Sequence, residues 1–225
     1  MDSTALLLSV KLAAATVAIL LPAGVLIARV LATREFPLKP FVEALFALPL
    51  VLPPTVLGYY LLVALGTDTL PGRWYEWLTG RTLVFTFDGL LVASVIFNLP
   101  FAIQPLQRAF EAIPDDVLHA AACCGLTPAR SLWRIELPLI AGGLLTAGVL
   151  TFAHTLGEFG VVLMVGGSIP GETKTIAISI YDRVQGFDMT GAGLMSLLLL
   201  VFSVVAIGVT FVASARHRRR HARFG

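Results

Sequence analysis

Residues 114–138 read Pro-Asp-Asp-Val-Leu-His-Ala-Ala-Ala-Cys-Cys-Gly-Leu-Thr-Pro-Ala-Arg-Ser-Leu-Trp-Arg-Ile-Glu-Leu-Pro, a polar stretch set between two very apolar segments. Pro114 suits the first position of a helix, and the two aspartates after it favour the positive end of the helix dipole. Gly125 can adopt the left-handed conformation that ends a helix at little cost. Thr127 can cap a second helix whose first residue is Pro128. The stretch therefore predicts a hairpin of two short helices joined by a glycine bend.

The composition of the whole chain indicates a membrane protein. Of its 225 residues, 57% are hydrophobic and only 13% are charged, and the mean hydropathy is +0.87. A soluble domain carries about 25% charged residues. The N-terminus lacks the basic region of a cleavable signal peptide, so its first apolar segment is interpreted as an uncleaved span. We expect a single transmembrane domain over residues 1–225.

Five apolar segments are long enough to cross a bilayer, which needs about 20 mostly apolar residues. The prediction is an all-α polytopic protein with about five spans. The predicted spans cover about residues 6–30, 44–66, 89–107, 137–156 and 189–215. A shorter segment, residues 159–170, is predicted to be a re-entrant or gate segment, which is tolerable at membrane depth only when protein covers it. Counting that segment as a helix would give six spans.

Lysine and arginine are distributed unequally between two alternating sets of loops. Eleven of the 16 basic residues fall in one set and four in the other, with Lys11 inside the first span. The positive-inside rule then predicts an outside N-terminus and a cytoplasmic C-terminus, with residues 216–225 as a basic cytoplasmic tail. The hairpin falls on the cytoplasmic side.

The hairpin resembles the signature loop of ABC importer permeases, the type I group. The loop covers about residues 109–138. The family pattern is an acid and two alanines, then a glycine, then Ile-x-Leu-Pro, and here His119 stands where the family usually has glutamate. The matching positions are His119, Ala120, Ala121, Gly125, Ile135, Leu137 and Pro138. The resemblance implies that these residues couple the chain to a separate ATPase.

Two further segments resemble the molybdate and sulfate permeases of that family. One is residues 48–59, where prolines interrupt the second span, and the other combines residues 156–160 with 169–176. The gate or pathway candidates in these segments are Pro53, Pro54, Gly58, Gly157, Glu158, Phe159 and Gly160. Because a fixed negative charge repels an oxyanion, Glu158 is better suited to a gate or an interface than to substrate binding. Lys174 matches an anion electrostatically, but it can equally pair with Glu172 or Asp182.

Catalytic and metal-binding patterns do not support an enzyme. His119 and Cys123 share a helix face and Cys124 is adjacent, but the spacing of a structural zinc site is absent, so no metal is predicted. No nucleotide-binding G-x-x-x-x-G-K-[ST] loop occurs, so ATP must be hydrolysed by a partner. His154, on a membrane helix, is interpreted as a polar contact between helices. No cofactor is expected.

The resemblance implies the permease subunit of an importer for molybdate-type oxyanions in the bacterial inner membrane. Its expected partners are a cytoplasmic ATPase dimer, a second copy of the chain and an extracellular or periplasmic oxyanion-binding protein, and not nucleic acid. The short length favours molybdate, while tungstate and sulfate or thiosulfate remain alternatives. An ATPase-independent carrier or a membrane enzyme would each need no docking loop.

Overall fold

The computed structural model describes the backbone of residues 2–221 and the side chains of residues 2–208. No β-strand occurs within residues 2–221, so the all-α prediction is confirmed. The chain forms twelve α-helices and one π-helical segment, Leu132–Glu136, within these residues. The α-helices are α1 Ser3–Thr33, α2 Lys39–Val51, α3 Pro54–Ala64, α4 Leu70–Thr79, α5 Phe87–Glu111, α6 Asp115–Cys123, α7 Pro128–Ser131, α8 Leu137–Leu139, α9 Ala141–Gly157, α10 Gly160–Gly166, α11 Ile176–Gln185 and α12 Met189–His221.

Three of the described helices are long and apolar enough to cross a bilayer, namely α1, α5 and residues 189–208 of α12. Two bent helix pairs raise this number to as many as five if each pair is one span. The first pair is α2 with α3, and the second is residues 128–139 with α9. The predicted number of about five spans agrees with this arrangement.

The second predicted span is divided at Pro53 and Pro54. The chain turns by 113° between α2 and α3. A residue that precedes proline is sterically disfavoured in the helical region. Leu52 and Pro53 each precede a proline, and both are extended with ψ of 136°. Two consecutive extended residues therefore end α2, whereas Pro49 lies inside α2 without breaking it.

The fourth predicted span begins later than the sequence indicates. Pro138 lies within α8, and the 74° bend falls at Ile140 between α8 and α9. Immediately after the bend, α9 lies very close to α5: a Cβ built at Gly143 would be 2.4 Å from Ala109 Cβ. Small residues permit such close contacts between membrane helices.

The core of the molecule lies where α1, α5 and α9 pack together. Its buried residues include Ala28 and Leu31 of α1, Ile103 and Leu106 of α5, and Ala147 of α9. At Gly24 of α1 a Cβ would be 3.1 Å from Leu106 Cδ1, so α1 and α5 are also in close contact. These three helices form the rigid frame that carries the hairpin at one end.

The short apolar segment after α9 is covered by protein. Its helix, α10, packs against α3 and α5, and Val161, Val162 and Val165 are at most 3% exposed. This burial agrees with the expectation that the segment is tolerated only when protein surrounds it.

The helices at the edge of the frame expose apolar side chains. Within residues 189–208 of α12, only 11% of the most apolar stretch is buried. This surface is suited to lipid or to another membrane protein. The predicted basic tail, residues 216–225, lies outside the described side chains, and its last four residues lie outside the described backbone.

Candidate functional site

The first helix of the predicted hairpin is ended by two hydrogen bonds. Gly125 has φ of 74°, in the left-handed region. Its N–H donates to Ala122 O at 2.9 Å, and the N–H of Leu126 donates to Ala121 O at 3.1 Å. This pair of bonds is a Schellman motif, which satisfies the last carbonyls of a helix and favours glycine at the turning residue. The predicted glycine bend is therefore present.

Helix α6 has one packed face and one open face. Val117 and Leu118 pack against the central core, and Ala121 is buried. His119, Ala120, Ala122 and Cys123 are exposed. Within the described residues, no group of three or more His, Cys, Asp and Glu side chains could hold a metal ion. Apart from His119, the side chains on this exposed face are small, which suits the face to a groove in a partner.

The second limb of the hairpin begins as the sequence predicts and then departs from it. The Thr127 hydroxyl accepts a hydrogen bond from Arg130 N at 3.4 Å, and Pro128 is the first residue of α7. After only four residues α7 becomes the π-helical segment Leu132–Glu136. Of the remaining signature residues, Ile135 and Leu137 are half-buried and Pro138 is exposed.

Two details of the hairpin differ from the sequence prediction. Pro114 is the N-cap of α6, not its first helical residue, because its ψ of 138° is extended. The aspartates Asp115 and Asp116 occupy the first turn as expected. The π-helical segment has no signature in the sequence; such segments are often found at functional sites.

The second limb is attached to α1 by an ion pair that the sequence did not predict. Arg29 Nε donates to Glu136 Oε2 at 2.6 Å, and Arg29 Nη2 donates to Glu136 Oε1 at 2.8 Å. The side chain of Glu136 is only 2% exposed. In the sequence, Arg29 is only one of the eleven basic residues of the predicted cytoplasmic loops. Arg29 and Glu136 are 107 residues apart, so nothing local signals their contact.

The gate candidates from two distant parts of the chain come together. A Cβ at Gly160 would lie 2.7 Å from Pro54 Cβ, and a Cβ at Gly58 would lie 2.8 Å from Met164 Cβ. The bend at Pro53 and Pro54 is therefore in contact with the start of α10. Gly58 is buried in this contact, whereas Pro53 and Pro54 are exposed on their other sides.

The remaining gate candidates surround the turn between α9 and α10. Glu158 Oε1 accepts a hydrogen bond from Val161 N at 2.8 Å, so its carboxylate caps α10. The ring of Phe159 packs against that of Tyr181 of α11 at a tilt of 43°, with ring centroids 4.9 Å apart. Gly157 ends α9 and has open space where a Cβ would lie. Glu158 thus has a structural role at the turn.

The cation that the sequence offered as an electrostatic match for an anion is already paired. Lys174 Nζ lies 2.6 Å from Asp182 Oδ2. Of the alternatives that the sequence left open for Lys174, pairing with Asp182 is the one observed. An anion binding at Lys174 would have to compete with this carboxylate.

A buried polar network joins α1, α5 and α9 inside the helix bundle. His154 Nδ1 lies 3.0 Å from Asn98 Oδ1, and the imidazole stacks on Phe101 with a centroid distance of 3.9 Å. Asn98 Nδ2 donates to Ser94 O at 2.8 Å, which leaves Asn98 Oδ1 to accept from the Nδ1–H of His154. Thr16 of α1 donates to Ser94 Oγ at 2.9 Å. The interpretation of His154 as an interhelical contact is confirmed.

A cavity of about 620 Å³ opens between α2 and α5. Its polar end contains Glu43, which accepts a hydrogen bond from Gln107 Nε2 at 2.7 Å, while Gln107 also donates to Glu111. Arg108 at the same end pairs with Glu111 at 3.0 Å. The charged residues that line the cavity are one carboxylate, Glu43, and one guanidinium, Arg108, so the lining offers no excess of positive charge to an oxyanion.

The sequence resembles proteins of known membrane transport systems. A family model described as "Binding-protein-dependent transport system inner membrane component" matches residues 21–221. The molybdenum transport system permease protein ModB of Azotobacter vinelandii is 45% identical over 206 residues, which cover 92% of this chain and 91% of that protein. The ModB protein of Escherichia coli K12 is 33% identical over 222 residues, covering 97% and 96% of the two chains.

Solved structures of other importers share the fold. A bacterial ABC transporter that imports the polysaccharide alginate aligns with a TM-score of 0.72 at 17% identity, covering 96% of this chain and 78% of that chain. The MetNI methionine ABC transporter aligns with a TM-score of 0.67 at 18% identity, covering 96% of this chain and 94% of that chain.

Proposed function

Because this chain belongs to the binding-protein-dependent transport system inner membrane components, the permease subunits of ABC importers, we propose that it carries molybdate-type oxyanions across the membrane. The observation that supports this cargo most directly is the 45% identity to the Azotobacter vinelandii molybdenum permease over nearly the full length of both chains. The family contributes the membrane pathway, and a separate ATPase hydrolyses ATP.

The hairpin is proposed as the element that docks on the ATPase. Its open face contains the short side chains of Ala120 and Ala122, while the opposite face packs on the central core and Gly125 turns the chain at its end. His119, Ala120, Ala121 and Gly125 would form the part of the hairpin that fits into the ATPase groove. Ile135, Leu137 and Pro138 would transmit motion into α9. At position 119 histidine replaces the negatively charged glutamate that is usual in the family. The part of the ATPase groove that faces His119 therefore needs no cation.

The transport unit is proposed to contain two copies of this chain, two ATPase subunits and one binding protein. ATP binding would close the ATPase pair and move the hairpins, and the helices attached to them would move as rigid bodies. The contact of Pro54 and Gly58 with α10 is the proposed gate, because it joins the broken second span to the covered segment. Pro53, Gly157, Glu158, Phe159 and Gly160 complete this gate.

The proposed topology places the N-terminus outside and the C-terminus in the cytoplasm, in one transmembrane domain over residues 1–225. The unequal loop charges support it. The exposed cysteines Cys123 and Cys124 of the hairpin provide the test.

In cells that express the permease without its ATPase, a membrane-impermeant maleimide is expected to leave Cys123 and Cys124 unlabelled until the membrane is opened. Adding purified ATPase to opened membranes is expected to protect both thiols, because α6 is then covered. The matched control is Glu76→Cys in a Cys123→Ser, Cys124→Ser background, since Glu76 is exposed in the outer loop and is expected to react in intact cells. Labelling of the native pair from outside intact cells would reverse the topology.

The activity itself is tested with the complex reconstituted in vesicles. We expect vanadate-sensitive ATP hydrolysis to rise when binding protein loaded with molybdate is present, together with uptake of molybdate. Tungstate, sulfate and thiosulfate are compared in the same assay. Stimulation by sulfate alone would assign the chain to the sulfate group, and uptake in vesicles without ATPase would indicate a carrier.

A further inference from the structure

The guanidinium of Arg29 binds both ends of the second limb of the hairpin. Besides its two bonds to Glu136, Arg29 Nη2 donates to the carbonyl of Pro128 at 3.3 Å. Pro128 is the first residue of α7, and Glu136 is the last residue of the π-helical segment. One side chain near the end of α1 therefore holds the limb 128–136 at its two extremities.

This attachment is of the strong kind. Two parallel N–H···O bonds between a guanidinium and a carboxylate are shorter and stronger than neutral hydrogen bonds and fix the mutual orientation of the groups. Glu136 is almost completely buried, so removing the charge of one partner leaves the other without compensation. The limb and the end of α1 are therefore expected to move together.

The opposite end of α1 is attached to α11. Asp2 Oδ2 accepts a hydrogen bond from the Ser179 hydroxyl at 3.1 Å, and Ser9 Oγ accepts one from Ile176 N at 2.8 Å. Both serines are buried. A hydrogen bond from Ala5 N–H keeps the pKa of Asp2 below its ordinary value, so this capping carboxylate is charged at neutral pH.

Helix α1 is continuous between these two attachments. It contains 31 residues and remains helical through Pro22. At a rise of 1.5 Å per residue, it is roughly 45 Å long, the full thickness of a bilayer.

We propose that α1 is a connecting rod that carries the motion of the hairpin to α11 on the other side of the membrane, with Arg29 and Glu136 as the positioning residues at its hairpin end. This inference rests on the proposed function, in which the hairpin docks on an ATPase. It predicts that the ion pair governs how strongly a loaded binding protein on one side stimulates hydrolysis on the other.

The test measures the ratio of binding-protein-stimulated to basal ATPase activity in the reconstituted complex. Glu136→Gln keeps the shape of the side chain and removes its charge. We expect the ratio, taken against the basal rate of the same variant, to fall by about fivefold or more, the effect of losing at least about 1 kcal/mol of coupling between two sites. The matched control is Glu35→Gln, which removes the acid of the exposed Lys39–Glu35 pair and is expected to leave the ratio unchanged.

A double variant with one substitution at each end of α1 distinguishes a single connecting rod from two independent contacts. Ser9→Ala alone is expected to lower the ratio as well. Adding Ser9→Ala to Glu136→Gln is expected to cause little further loss, because Glu136→Gln already separates α1 from the hairpin. Losses that multiply would overturn the rod, and an unchanged ratio in Glu136→Gln would overturn the positioning role.

A conservative variant keeps the test decisive if Glu136→Gln fails to assemble. Arg29→Lys retains the charge but loses the planar fork, so an intermediate ratio is expected. A normal ratio in assembled Arg29→Lys would overturn the role of the fork. If the unsubstituted complex shows no stimulation, the proposed function fails; if it is stimulated and the variants behave like it, only this inference fails.

Discussion

A complex that carries Gly125→Pro is expected to lose its ATPase during purification. Gly125 has φ of 74°, whereas proline fixes φ near −65° and has no N–H to donate to Ala122 O. The left-handed conformation and the hydrogen bond to Ala122 O are therefore lost together. If rebuilding the docked bend then costs about 3 kcal/mol, the ATPase binds more than about a hundredfold more weakly. The measurement is the amount of ATPase recovered with the tagged permease.

Gly80 provides a matched control for this substitution. It has φ of 70° at the end of α4, and its N–H donates to Glu76 O at 2.8 Å, so a left-handed glycine also ends a helix in the proposed outer loop, there with a single hydrogen bond. Gly80→Pro is expected to retain the ATPase. Gly125→Ala should be intermediate, since the left-handed conformation costs an L-residue roughly 1–2 kcal/mol. Equal recovery with Gly125→Pro and Gly80→Pro would show that the bend is not the docking element.

Substitution of Gly160 by leucine is expected to lower molybdate uptake strongly while leaving the ATPase bound. A Cβ at this position would lie 2.7 Å from Pro54 Cβ and 3.5 Å from Pro54 C, so α10 must separate from the bend between α2 and α3. Overpacking of this kind costs typically 1–3 kcal/mol, and here the cost falls on the proposed gate. We expect uptake of labelled molybdate to fall by about tenfold or more, as a 1.4 kcal/mol change would produce.

Gly193 is the control for this prediction. It lies in α12, and nothing within 4 Å would meet a Cβ there. Gly193→Leu is therefore expected to preserve uptake. Gly58→Leu should behave like Gly160→Leu, because its Cβ would meet Met164 Cβ at 2.8 Å. Normal uptake in both gate variants would remove this contact from the transport mechanism.

Local chemistry made much of the fold predictable. The bend at Gly125 and the cap at Thr127 each depend on one residue and its immediate neighbours, so the sequence carries their full signal. The break at Pro53 and Pro54 follows from two consecutive prolines, which disfavour the helical region at both Leu52 and Pro53. Apolar segments of sufficient length likewise indicate where the spans lie.

The contacts that join distant parts of the chain could not be predicted in this way. Arg29 and Glu136 are 107 positions apart, and each has an ordinary reading when considered alone. The contact between Pro54 and Gly160 depends on how α10 folds back against α3. The bend at Ile140 lies next to the close packing of α9 on α5, a contact that depends on tertiary structure.

The divided second span affects the dielectric barrier that an ion meets. Because Pro53 and Pro54 have no N–H, the carbonyls of Pro49 and Leu50 lose the donors that a continuous helix would supply four residues later. Bare carbonyls are costly in hydrocarbon. Where water supplies the missing donors at the proposed gate, the dry distance that an oxyanion would cross is shorter than the bilayer itself.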